Sequence, residues 1–160
     1  MTIWLFIELS RDIDGFLQEW HTHVKKSHVL ELYRNIKLDF IYERYLDMLP
    51  GDLKTYICKI RISAHSLIIQ TGRYARNRTP RNERYCIYCN TNDLEDEFHF
   101  ILICPCYSVI RKKYIHKYFY QHPSMFKFIE LLKSGNRKNI VNLAYFVKNA
   151  LSIRSTLTHN

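Results

Sequence analysis

Two residues separate Cys86 from Cys89, nine separate Cys89 from His99, and four separate His99 from Cys104. Three thiols and one imidazole in this order are the ligand complement of a closed tetrahedral zinc site. The Cys-x-x-Cys turn lets both thiolates reach one ion, and four protein ligands leave no open position for a water. The expected chemistry is structural rather than catalytic: one Zn(2+) per chain, held by Cys86, Cys89, His99 and Cys104. Cys106 lies two residues beyond Cys104 and competes with it for the fourth position. The usual four-residue interval between His and Cys favours Cys104. Cys58, among apolar neighbours, is expected as a small core residue.

A second group of residues could bind phosphate. Arg73, Arg76, Arg78, Arg81 and Arg84 fall within twelve residues, opposed only by Glu83, and Tyr74 and Tyr85 are interleaved with them. Guanidinium forks bind phosphate through paired hydrogen bonds, and a tyrosine ring can stack a base. A solvated loop, bonded to helix C-termini or to the acidic run Asp93, Glu95, Asp96 and Glu97, accounts for the segment equally well. Lys112 and Lys113, with Arg111 and Lys117, form a second basic cluster, read either as a strip beside the metal site or as a solvated helix face. His65 is expected to hydrogen-bond locally at a helix contact, with a nucleic-acid contact as the alternative. His21, His23, His28, His116 and His122 have no thiol or acidic partner at ligand spacing and are expected on the surface. The acidic run suits the first turn of a helix, where the dipole favours carboxylates. No paired nucleophile and base and no phosphate-cradling glycine loop occur, so no enzyme activity is expected.

The elements that position these residues are read from spacing. A chain of 160 residues is one ordinary domain, and 47% apolar content is enough for a core and excludes a disordered chain. Only four Gly and four Pro favour helices over many short strands. The net charge of +9 points to an anionic partner, nucleic acid before a membrane surface. The start lacks a basic n-region and a cleavage site, and no stretch approaches a membrane span. An intracellular reducing compartment, nucleus or cytoplasm, is therefore expected rather than secretion, and there Cys-x-x-Cys signals metal or redox chemistry.

Ser10 is positioned to cap a helix through about Lys26, with Ile13, Phe16, Leu17, Trp20 and Val24 on one face. Helices follow over Val29 to Ile36 and Leu38 to Leu49. Pro50-Gly51 breaks the chain, and Asp52 caps one long helix from Leu53 to Gln70, which Gly72 ends in the left-handed conformation. Asp93 starts a helix that stops at Cys104 because Pro105 follows. On a regular helix His99 and Cys104 would point about 140° apart, so this break must turn the sulfur back. Helices over Cys106 to Tyr120, from Ser124 to Lys133 and from Asn136 to about Arg154 complete a mainly α chain, a helical array with a small central zinc knuckle. Its segments are 1–50 (N-terminal helices), 51–122 (long helix, arginine-rich connector, knuckle and following helix) and 123–160 (C-terminal helices), together one domain.

The stretch Ile62-Ser-Ala-His65-Ser-Leu67-Ile-Ile-Gln-Thr-Gly72-Arg73-Tyr74, with Pro80-Arg-Asn-Glu-Arg84, Cys86-x-x-Cys89, Glu95-Asp96-Glu97-Phe98-His99 and Cys104-Pro105, resembles one family. It is similar to the CCHC zinc-binding segment downstream of the reverse transcriptase in non-LTR retrotransposon proteins, most densely over residues 60–120. The resemblance implies zinc ligands at Cys86, Cys89, His99 and Cys104, and a role in holding an RNA template or DNA target beside a reverse transcriptase core. The polymerase signature Tyr-x-Asp-Asp has no counterpart; its nearest echo, Tyr45-Leu-Asp47-Met48, lacks the paired aspartates. The resemblance thus implies a detached tail of such a protein, without its catalysis. The rival expectation is a protein-interaction domain whose zinc only holds helices together, marked by an apolar patch of Trp4, Phe6, Phe16 and Trp20.

Overall fold

The computed structural model describes residues 2–158, with side chains over 12–157. It is mainly α. Among the described residues the one β pairing is an isolated antiparallel bridge between Tyr85 and Leu94. The helices are α1 (Thr2–Lys26), α2 (Glu31–Ile36), α3 (Tyr45–Met48), α4 (Gly51–Arg61), α5 (Ile68–Tyr74), α6 (Ser108–Tyr114), α7 (Lys117–Tyr120), α8 (Met125–Leu132) and α9 (Arg137–Thr158).

Helix α9 is the axis of the core, because its stripe Ile140, Leu143, Ala144, Val147 and Ala150 repeats at helical spacing and is buried along its whole length. Helices α3, α4, α6 and α8 pack on it. Leu53, Ile57 and Ile60 of α4, Phe128 and Leu131 of α8, and Phe100 beside the knuckle join the same apolar cluster. Each large apolar side chain withdrawn from water contributes about 1.5–3 kcal/mol. Leu32, Ile36 and Leu49 join the cluster as well, so residues from all three sequence segments share one core. The two carboxy-terminal helices start where their caps predict. Ser124 Oγ accepts from Lys127 N at 3.3 Å, and Asn136 Oδ1 accepts from Lys138 N at 2.8 Å.

Several expected helices are shorter, each for a local reason. Ser10 lies inside α1 rather than at its start. The segment 38–44 is not helical; the buried Lys37 reaches forward to the Ile41 carbonyl and to Glu43, 3.4 Å away, and props the loop open. Asp52 sits in the first turn of α4 without capping it, and pairs instead with Lys148 of α9 at 2.7 Å.

The expected long helix 53–70 stops at Arg61. Ser63 takes a left-handed conformation (φ 55°), Ser63 N donates to Ile60 O, and Ala64 N donates to Lys59 O at 2.8 Å. That is the paired hydrogen bonding of a Schellman ending, with serine where glycine is usual. Ser63 Oγ donates to Glu97 Oε1 at 2.6 Å, a bond that offsets the strain of a left-handed serine.

Gly72 lies within α5 and is not left-handed. Its lack of a side chain serves a close approach: a Cβ there would lie 3.1 Å from the Arg84 side chain. The expected helix 106–120 is a 3-10 turn at Pro105–Tyr107 followed by α6 and α7, with extended backbone at Ile115 and His116 between them. Lys113 and Lys117, read from the sequence as one basic cluster, thus belong to different helices.

Candidate metal centre

The bridge between Tyr85 and Leu94 closes a small hairpin that presents the Cys-x-x-Cys turn. Glu95 N donates to Arg84 O at 2.9 Å on one side of it, and Cys86 N to Asp93 O at 2.8 Å on the other. The other two ligands come from the turn after the hairpin. Asp96, not Asp93, caps that turn, its Oδ1 accepting from His99 N at 2.8 Å. The chain then takes a π-helical turn over His99–Ile103, closed by Cys104 N donating to His99 O at 2.7 Å.

The π turn resolves the angular problem of the His-x4-Cys interval. Bonds from residue i to i+5 place more residues in a turn than an α-helix does, so positions five apart come round toward the same side. Cys104 itself leaves the helical conformation (φ −47°, ψ 121°) ahead of Pro105. Both the wider turn and the break aim its sulfur at the hairpin.

The outcome is one cluster. The ligand atoms of Cys86, Cys89, His99 and Cys104 all lie within 4.8 Å of one another, and these four residues could hold a metal ion. Cys86, His99 and Cys104 are buried and Cys89 is half-buried. His99 Nε2 stands 3.4 Å from Cys89 Sγ, so this nitrogen faces the cluster. The opposite nitrogen, Nδ1, is buried without a hydrogen bond, and Asp93 Oδ2 lies 3.6 Å from it. A ligating imidazole ordinarily directs its second nitrogen at a carboxylate, which fixes the tautomer.

The thiols fit a metal for an electrostatic reason as well. The hydrogen bond with Cys104 pulls the Cys86 thiol well below the ordinary thiol range, and that same bond pushes Cys104 up. Two sulfurs sharing one proton in a buried site are the arrangement a dication replaces, since it stabilises every thiolate at once. Cys106 is outside the four: its exposed thiol donates to Tyr88 O at 2.8 Å and ties the hairpin to the 3-10 turn. Cys58 is half-buried, 3.3 Å from the Tyr45 hydroxyl.

Buried charged side chains brace the cluster. Arg111, expected in a surface strip, is buried, and it donates to Ile101 O and Cys104 O, both at 2.7 Å, capping the open end of the π turn. Glu95 meets Arg154 of α9 through two bonds of 2.9 Å, accepts from Ile68 N at 2.6 Å, and offers its own carbonyl to Ile69 N. One carboxylate thus joins the hairpin, the start of α5 and the end of α9. Glu97 accepts from Ser63 and from His65, whose Nε2 is 2.8 Å away. Burial alone would raise the Glu97 carboxyl, but these bonds outweigh it and hold the group below its usual range. His65 sits in the loop between α4 and α5 rather than on a long helix; besides Glu97, 32 positions away, its Nδ1 accepts from Leu67 N at 3.4 Å.

The connector arginines divide. Tyr74, Arg76, Arg78 and Arg81 are exposed, and Arg81 pairs with Glu31 at 3.0 Å. Arg73 is half-buried and donates to His28 O. Arg84 departs from the expected phosphate contact. It is buried against Gly72 and donates to Thr79 O and Ile69 O at 2.8–3.0 Å. Lys112 and Lys113 are exposed.

Sequence reasoning missed the bracing roles of Glu95, Arg111 and Arg154, although a signal existed. Arg154 continues the stripe Leu143, Val147, Ala150 of α9, and Arg111 shares a helix face with Tyr107 and Tyr114. A charge on an apolar stripe points to a buried partner. No helix among the described residues is long and apolar enough to cross a membrane. No family model, curated protein or solved structure matches the chain.

Proposed function

We propose that this chain is a zinc-stabilised nucleic-acid-binding module without catalytic activity of its own. Zinc is the metal that suits the donor set, since three thiolates and one imidazole in a closed tetrahedron favour it over harder cations. The observation that carries the binding reading is the exposed run Tyr74, Arg76, Arg78 and Arg81 on the connector that leads into the metal hairpin, in a chain of net charge +9. Exposed Lys112 and Lys113 extend the basic surface on α6. The polar bonds around the knuckle would hold this surface in register, while phosphates supply the missing counter-charge. The partner is RNA or DNA inside the cell. The motif resemblance supports a place behind the reverse transcriptase core of a non-LTR retroelement protein.

A salt titration of oligonucleotide binding by the zinc-loaded chain tests this reading. Affinity falls steeply as salt rises, and replacing Arg76, Arg78 and Arg81 with Gln flattens the log–log slope by about 0.7–0.9 for each phosphate no longer neutralised. Binding that is absent, or indifferent to salt, sinks it.

A second reading has an observation of its own. Ile13, Phe16, Phe40, Ile41 and Tyr42 are all at least half exposed on α1 and the loop after α2, an apolar face suited to docking on another protein. Phe16 belongs to it and Trp20 borders it, half-buried; Trp4 and Phe6 lie outside the described side chains. The two readings separate by substitution: the arginine variants weaken the first alone, and Phe16→Gln weakens the second alone.

A further inference from the structure

One groove shares Tyr74 with the basic run and otherwise has a chemistry of its own. It runs along α5 between the ends of α4 and α9, with a volume of about 600 Å³, within the range of small-molecule sites. Ile62 and Leu151 supply an apolar floor, Lys59 stands on its wall, and no carboxylate lines it. Tyr74 forms one rim and is 75% exposed, a large flat ring with little of its surface covered. Gln70, one turn earlier on α5, also lines the groove. The residue is 5% exposed and also borders a neighbouring cavity; its amide oxygen is covered and has no hydrogen-bond partner among the described residues, so it meets a ligand in the groove by turning its amide.

An unpaired buried acceptor costs free energy, so a folded protein rarely keeps one that no ligand or water satisfies. The terminal torsion of a glutamine is soft, and its amide offers a donor beside an acceptor. A nucleobase edge presents the same pair in complement, and a nucleobase face is what an exposed tyrosine ring stacks. We propose that this groove takes one unstacked base of a single-stranded nucleic acid, lying on Tyr74 with its hydrogen-bonding edge turned to Gln70. The proposal rests on the nucleic-acid reading above and narrows it to single strands, because a base inside a duplex has both faces stacked and its Watson–Crick edge paired. Lys59 in the groove, and Arg76 and Arg78 just beyond Tyr74, match the flanking phosphates.

The test is fluorescence anisotropy with the full, zinc-loaded chain against three probes: a short single strand, the same strand with abasic positions, and a blunt duplex. Tyr74→Ala weakens binding to the base-bearing strand about ten-fold or more, as loss of a stacked base does. It leaves the abasic strand and the duplex unchanged, and Tyr74→Phe restores the affinity. Gln70→Leu, which replaces the amide with an apolar group of similar length, narrows the spread of affinities among homopolymeric strands. Circular dichroism confirms that each variant is folded. Equal binding of the single strand by wild type and Tyr74→Ala overturns the proposal and leaves the broader reading standing; a groove that seats a protein segment instead gives this result. An equal loss on the abasic strand also overturns it. A wild-type chain that binds none of the probes removes both readings together.

Discussion

Around the knuckle Arg84, Glu95, Glu97 and Arg111 are all buried and all hydrogen-bonded, whereas along α1 and the loop after α2 the side chains of Ile13, Phe16, Phe40 and Ile41 are at least half exposed. Buried charges gather around the knuckle, whereas α1 and the loop after α2 present large apolar groups to water, although that loop also rests on the buried charges of Lys37 and Arg61. The knuckle is a region of loops and short turns, whose backbone groups are not satisfied by long helical ladders. Side chains must satisfy them, and arginine, with five donors on a rigid fork, can cap several carbonyls at once. Helix α1 satisfies its own backbone and needs only one stripe covered, which Val24 achieves and Phe16 does not. The two ends should therefore respond differently to damage. Removing a buried polar partner strands another group, while trimming a half-exposed ring returns surface to water it already touched.

The largest effect that separates the two ends is loss of the metal. Chelation leaves thiols crowded within 4.8 Å and sharing a proton in a buried site, and Cys86→Ser removes one of the four candidate ligands. A metal present at about a thousand times its Kd stabilises a folded chain by about 4 kcal/mol. For a chain of this size that is roughly 8–16 °C of melting temperature. Thermal melts followed by circular dichroism, with and without chelator, check this. An unchanged melt would mean that the polar braces alone hold the knuckle, and would break the comparison at its strongest point.

Next is the brace itself. Glu95→Gln keeps the shape of the side chain but leaves Arg154 buried opposite a neutral amide, and it weakens the bond to Ile68 N. Breaking a buried pair from one side costs about 3 kcal/mol where a neutral amide keeps part of the hydrogen bonding, read as a shift in the denaturant midpoint. Pairing the change with Arg154→Met should recover part of the loss, because the arginine that Glu95 no longer matches is then gone. A double variant no better than the single one would show that Arg154 draws its stability from contacts other than Glu95; its guanidinium also lies 5.1 Å from the centre of the Tyr88 ring.

This division also explains what could be read from the sequence. The four clustered ligands were legible because metal chemistry limits both residue type and interval, and those limits survive any detail of the fold. Helices α8 and α9 were legible because Ser124 and Asn136 cap them and their stripes are regular. The break after Arg61 was not. Its apolar spacing continues through Leu67, and what ends the helix is Ser63, whose left-handed backbone is held by Glu97, 34 positions away. Arg84 and Arg111 looked like surface charge for the same reason: their partners are carbonyls, which residue type does not reveal. The π turn at His99, which ends at the non-helical Cys104 before Pro105, was not legible either, since no local helix preference marks it.

The smallest expected effect lies at the other end of the chain. Phe16 meets Phe40 edge-to-face at 5.2 Å, and Phe40 meets Trp20 at 5.4 Å, a chain of rings with water on one side. An aromatic pair contributes about 0.5–1.5 kcal/mol when well packed, and here half of the Phe16 surface is already wet. Phe16→Gln should thus lower stability by about 0.5–1 kcal/mol, roughly 1–4 °C in the same thermal melt. It should also reduce the binding of a hydrophobic dye to the folded chain, since the exposed face loses its central ring. A loss as large as that of Glu95→Gln would mean that α1 covers the core rather than lying on it, and the contrast between the two ends would fail. A small loss together with reduced dye binding would make the face a surface kept for docking, since its apolar side chains would then add little to the fold that carries them.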